Sequence, residues 1–207
     1  MNADGFRRFH PAPSVAIRAC TVDHALEIQP GFGRTGKLFG FQNYNVVPDI
    51  LVMGKGMGGG MPVGAFTANE KHMDLLAHDP KCGHITTFGG HPVIAAASLA
   101  TLQELLDTDL MAQTLVKEHL FRSLLQHPLI TSIHGKGLML APMTPSEDIT
   151  NKVILKCKEK GLILFWLMFE GKAIRITPPL TISEQEIQEG CAIIIDALNE
   201  VQNELVN

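Results

Sequence analysis

An α/β fold in two parts is what this 207-residue sequence predicts, and three observations predict it. Short apolar runs bounded by glycine or proline alternate with helix-length segments. A glycine-rich region gives way, near residue 127, to a compact stretch marked by helix caps and a long apolar stripe. Hydrophobic residues make up 45% of the chain and charged ones 18%, which supplies a core and rules out disorder of the whole.

Taken in order, residues 1–26 show no period of 2 or 3.6 and carry prolines at 11 and 13, so a loosely packed start is expected. "VVPDILVMGKG" is an apolar run between Pro48 and Gly54 and reads as a buried strand entering a glycine turn. "VGAFTA", Val63 to Ala68, is a second strand. Asn69 then offers an N-cap for a short helix through Leu76. "HPVIAAASLATLQELLD" is a long helix with Pro92 in its first turn, and another runs from Leu110 to Gln126. Gly135-Lys136-Gly137 marks the turn of a hairpin. A helix from Glu147 to Lys160 is stopped by Gly161. "LILFWLMF" and "AIRIT" read as two more strands, ended by Pro178-Pro179. Ser183 and Glu186 form a capping box ahead of a last helix whose stripe is Ile187, Cys191, Ile194, Leu198, Val201 and Leu205. The parts are therefore 1–26, 27–127 and 128–207.

A net charge of −4 without a basic stripe argues against nucleic acid as a partner. Cys20, Cys82, Cys157 and Cys191 lie far apart, which fits neither structural zinc nor a disulfide framework but suits reduced cytoplasmic thiols. The nine histidines are scattered, so no metal site is expected. No signal-peptide-like segment and no run of eighteen apolar residues is present, so a soluble protein, neither secreted nor membrane-bound, is expected.

"GFGRTGKLFGF" matches G-x-G-x-x-G through Gly31, Gly33 and Gly36 and nearly matches a Walker loop through Lys37. Both patterns need a helix opening after the glycines, and Gly40 and Asn45 oppose one. Leu38 also stands where a Walker hydroxyl belongs. A turn-rich loop is the better reading. Lys55 is the sharper clue, set after a strand among Gly54, Gly56, Gly58, Gly59 and Gly60. Spacing alone leaves two readings open: a solvated loop lysine, or a desolvated amine able to form a Schiff base.

From "EIQPGFGRTGKLF" through "VVPDILVMGKGMGGGMPVGAF", "GHITTFGGHPVIAAASLATL", "IHGKGLML" and "AIRITPPLTISEQEI", the chain resembles the C-terminal half of class III pyridoxal-phosphate-dependent aminotransferases, in the manner of ornithine and acetylornithine aminotransferases. The resemblance covers about residues 27–205. It implies PLP-dependent transferase fold type I, truncated to the end of the large domain plus the small C-terminal domain. It implies pyridoxal 5'-phosphate as cofactor, an amine or ornithine-like amino donor, a 2-oxo acid as acceptor, and a homodimer. By the same resemblance Lys55 would hold the cofactor as a Schiff base and shuttle a proton. Gln29 would hydrogen-bond near the cofactor's phenolic oxygen, Thr87 would donate to the phosphate in the neighbouring subunit, and Arg175 would clamp a substrate carboxylate.

Two departures temper this. The family's D-E-x-Q motif carries an aspartate for the pyridine nitrogen, and this chain has Leu26 in its place. The family's N-terminal half, with its phosphate cup and ring-stacking aromatic residue, has no counterpart in residues 1–26. A truncated or frameshifted gene product with impaired activity is therefore expected. The alternative is a non-catalytic remnant or a dimerisation partner of an intact aminotransferase. An aminomutase or decarboxylase activity on the same scaffold also stays open.

Overall fold

The structure, a computed structural model, describes residues 17–19 and 22–206. Two compact units divide between Met111 and Ala112.

The first unit holds a four-stranded sheet of β1 (Ile17–Ala19), β2 (Val22–Glu27), β3 (Ile50–Gly54) and β4 (Gly64–Ala68), in that spatial order. β2 and β3 are parallel, with Leu26 opposite Val52 and Glu27 opposite Met53, and the outer pairs are antiparallel. β1 and β2 correct the expectation that nothing regular precedes residue 27; residues 1–16, 20 and 21 lie outside the described residues. The buried residues of β2 are Ala25 and Glu27, while Leu26 and Ile28 are exposed. That inverts the usual apolar-in, polar-out alternation and hides the strand from a hydrophobicity reading. Its parallel partner is also far along the chain, so pairing rather than local pattern creates it. β3, expected to be buried, is half-buried apart from Gly54.

Asn69 caps the one-turn helix α1 (Glu70–Asp74), its Oδ1 accepting the His72 N–H at 3.1 Å. α2 (Pro92–Asp107) opens on Pro92, where a missing N–H costs nothing, and packs against the turn that follows β3.

The second unit surrounds one core. α3 (Leu110–Leu124) begins at the division. β5 (Ser132–Lys136), β6 (Met139–Met143), α4 (Glu147–Glu159), β7 (Phe165–Leu167), β8 (Glu170–Arg175) and α5 (Glu184–Val206) follow. The strands form an antiparallel sheet in the order β5-β6-β8-β7. Phe121, Leu140, Val153, Ile174, Ile187 and Leu198 lie in its buried cluster. The division falls before residue 127 because α3 commits Phe121 to this core. Arg122 of α3 also donates to the Ile133 and Gly135 carbonyls at 2.7 and 2.9 Å, pinning the hairpin.

The capping box is present: the Ser183 N–H donates to Glu186 Oε2 at 2.7 Å, and the Glu186 N–H to Ser183 Oγ at 3.2 Å. The α5 stripe is buried from Ile187 to Val201, but Leu205 is 51% exposed. Burial pushes the Cys157 and Cys191 thiols up to about 11 and about 12, so both stay protonated at neutral pH. Only Phe165–Leu167 of "LILFWLMF" is strand. Among the described residues no helix is long and apolar enough to cross a membrane.

Candidate active site

Because β2 and β3 run parallel, their carboxyl ends emerge at one edge of the sheet, where open α/β sheets place their ligands. Gln29 lies two residues beyond Glu27, and Lys55 two beyond its partner Met53. The strand pairing thus brings the chain segments that carry the amide and the amine out at the same end of the sheet. Both residues are exposed, so of the two readings left open for Lys55, a solvated loop lysine or a desolvated amine, this chain's own packing does not desolvate the amine.

Lys55 opens a single 3-10 turn, Lys55–Gly58, with φ at +46°, a region that favours glycine. Gly59 ends that turn at φ +56°, its N–H donating to the Gly56 carbonyl at 3.3 Å. A Cβ on Gly59 would stand 2.1 Å from Thr101 Oγ1 on α2. Glycine is therefore required there by both conformation and space, and helix and lysine turn meet backbone to side chain.

The glycine loop after β2 folds on itself. The Phe32 N–H donates to the Leu38 carbonyl at 2.6 Å, Phe32 meets Phe39 edge-on at 5.7 Å, and Phe39 stacks on Phe41 at 5.7 Å. No helix opens at Gly36; the next element is one 3-10 turn, Gly40–Asn43. Neither nucleotide pattern therefore has the helix terminus it needs. Glu27 is fully buried, and its carboxylate accepts the Gly40 and Phe41 N–H groups at 2.7 and 2.9 Å. Sequence reasoning gave Glu27 no role, although a carboxylate at a strand end before a turn-rich loop of free amides was the available signal.

Thr87 sits in residues 77–91, all exposed. Arg175 is the last residue of β8, half-buried and opposite Phe165, and belongs to the second unit. The side chains of Gln29, Lys55, Thr87 and Arg175 have no hydrogen-bond or ion-pair partner among the described residues. Leu26, at the position of the missing aspartate, is 41% exposed.

A parallel strand pair ending in a lysine-bearing glycine turn defines an α/β protein with a candidate site at the carboxyl ends of its strands. Comparison with known proteins gives that class its family: the aminotransferase class-III family model matches residues 22–198. The chain belongs to the class-III aminotransferases, and the match takes in all of β2. It is 39% identical over 181 residues to an acetylornithine aminotransferase of Caldanaerobacter subterraneus subsp. tengcongensis, covering 85% of this chain and 44% of that protein. It is 37% identical over 186 residues to a putrescine aminotransferase of Pectobacterium atrosepticum, covering 86% and 39%. Among solved structures, an ornithine aminotransferase of Toxoplasma gondii, with PLP partially occupying its active site, superposes with a TM-score of 0.80 at 32% identity. That match covers 89% of this chain and 44% of the other. The chain thus spans less than half the length of these relatives, and its fold is the corresponding part of fold type I.

Pyridoxal phosphate is the cofactor of this family. The side chains present fit its reactive end, with an unpartnered amine and an unpartnered amide at adjacent strand ends. Leu26 brings no charge to the position where the resemblance expects an aspartate for the ring nitrogen.

Proposed function

We propose that this chain carries the lysine-bearing part of a PLP-dependent aminotransferase site, one that moves an amino group from an amine or ornithine-like amino acid to a 2-oxo acid. The observation that carries the reading is Lys55, held in left-handed backbone just past the carboxyl end of β3, the strand paired in parallel with the one that leads to Gln29. Bound PLP would supply a carbonyl to receive the amino group and a ring to accept electrons from the reacting carbon. Lys55 Nζ would hold the cofactor covalently and, once displaced, move the proton from the substrate carbon bearing the reacting amine. Gln29 would donate to the phenolic oxygen. Thr87 would donate to the phosphate in the partner subunit of a cytoplasmic homodimer, and Arg175 would hold a carboxylate through its planar fork.

The test is spectroscopic. Purified protein mixed with PLP is expected to develop a visible absorbance band that Lys55→Ala abolishes; a band unchanged by that substitution, or none at all, sinks the reading.

Leu26 favours a second reading, a non-catalytic chain or a dimerisation partner of an intact aminotransferase, because an uncharged group there leaves the ring a weaker electron sink. Leu26→Asp separates the two. A catalytic scaffold impaired at this point should hold PLP several-fold more tightly once the charge is supplied, as a single charge-assisted contact would give. Unchanged retention in a titration against free PLP supports the second reading.

A further inference from the structure

We infer that Glu27 is a positioning residue for Lys55: its carboxylate ties the 31–41 loop beneath the turn that carries the amine. A buried carboxylate is costly unless its oxygens are satisfied, and here Oε2 takes the Gly40 N–H and Oε1 the Phe41 N–H. Glu27 is paired across β2–β3 with Met53, two residues before Lys55, so the clamp is anchored on the strand pair that ends in the amine.

The loop's other end reaches the lysine turn directly. A Cβ on Gly56 would stand 3.3 Å from Phe32 Cβ and 4.0 Å from the Gly31 carbonyl oxygen, so loop and turn are already in close contact. Phe32 is 8% exposed at φ +56° and is braced by Phe39, the residue just before the clamped amides. Mechanical continuity therefore runs from Glu27 to residues 40–41, through Phe39 and Phe32, to Gly56 beside Lys55. Releasing the carboxylate frees the far end of the loop and removes the brace under the turn.

The inference rests on the proposed function only where PLP is the probe. Glu27→Gln keeps the volume of the side chain but turns an N–H toward an N–H, removing one of the two bonds. Gly40→Ala disturbs the clamp with Glu27 intact, since its Cβ would lie 2.9 Å from Pro30 Cβ and 3.2 Å from Glu27 Oε2. In the full chain, hydrogen exchange followed by peptide mass spectrometry is expected to quicken about tenfold in both residues 31–43 and residues 55–60, the loss of one charge-assisted bond, with the second unit unchanged. After PLP and borohydride, the share of pyridoxyl label on Lys55 relative to exposed Lys172 should fall several-fold in both variants, a readout that general destabilisation would not move selectively.

Faster exchange confined to 31–43, with 55–60 at the wild-type rate in both variants, overturns the inference and makes Glu27 a residue that folds its own loop only. If wild-type Lys55 takes no more label than Lys172, the proposed function fails, and the exchange at 55–60 alone decides the positioning role.

Discussion

The two units are ordered by different means. Among the described residues, the buried hydrophobics of the first unit are Ala25, Phe32 and Leu105, whereas the second gathers sixteen buried residues into one cluster. The first is shaped by backbone devices: a strand ladder, left-handed glycines, and amides gathered by a carboxylate. Its sheet exposes Leu26 on the parallel-paired β2, although such strands ordinarily have both faces covered, and Phe66 on β4. The residues proposed for cofactor chemistry, Gln29, Lys55 and Thr87, all lie in that thinly packed unit. Arg175 lies in the second unit, at the end of β8. Stability and proposed chemistry are thus largely segregated along the chain.

The sharpest way to break this contrast is to remove apolar volume from each side. Leu198→Ala should cost about 3 kcal/mol, because a fully buried leucine leaves a cavity in a close-packed cluster. Phe66→Ala, at a residue 45% exposed, should cost less than about 1 kcal/mol despite deleting more atoms. Urea unfolding followed by circular dichroism measures both, and equal losses would mean that the first unit is held by burial after all.

A smaller effect tests whether the second unit also depends on local signals. Ser183→Ala removes the hydroxyl half of the capping box and should lower stability by about 1 kcal/mol, read in the same unfolding experiment.

The smallest effect is electrostatic. Lys160 and Lys156 donate to Glu200 across α4 and α5, holding its carboxyl below the usual carboxylate range. A depressed folded-state value means that the contribution is present above the unfolded carboxylate range, about 4.3, and is lost as pH falls through the folded value. Thermal midpoints measured from pH 6 down to pH 3 should therefore fall less steeply in Glu200→Gln than in wild type. High salt should shrink the difference, as these side chains are partly exposed.

Much of the second unit was legible in the sequence because its signals are local. Ser183 with Glu186, Gly161 after α4, and the Ile187-to-Val201 stripe each name their own structure within a turn or two of chain. The lysine turn was legible for the same reason, as glycines surround it. β2 was not, since its buried face is an alanine and a glutamate and its partner lies some twenty residues away. The side to which α3 belongs was not legible, because α3 has little amphipathic contrast and only the tertiary core shows which unit claims Phe121. Thr87 and Arg175 could be singled out by resemblance alone, because an exposed threonine and an arginine at the end of a strand have no local pattern that distinguishes them.

Lys55 has a consequence of another kind. Its backbone sits where a β-carbon costs roughly 1 kcal/mol relative to glycine, in a turn that uses glycine at 54, 56, 58, 59 and 60. Judged by folding alone, residue 55 is the wrong amino acid. The turn would close more readily with glycine at this position, so the lysine is a local debt that the fold carries, and the proposed role of its amine accounts for it.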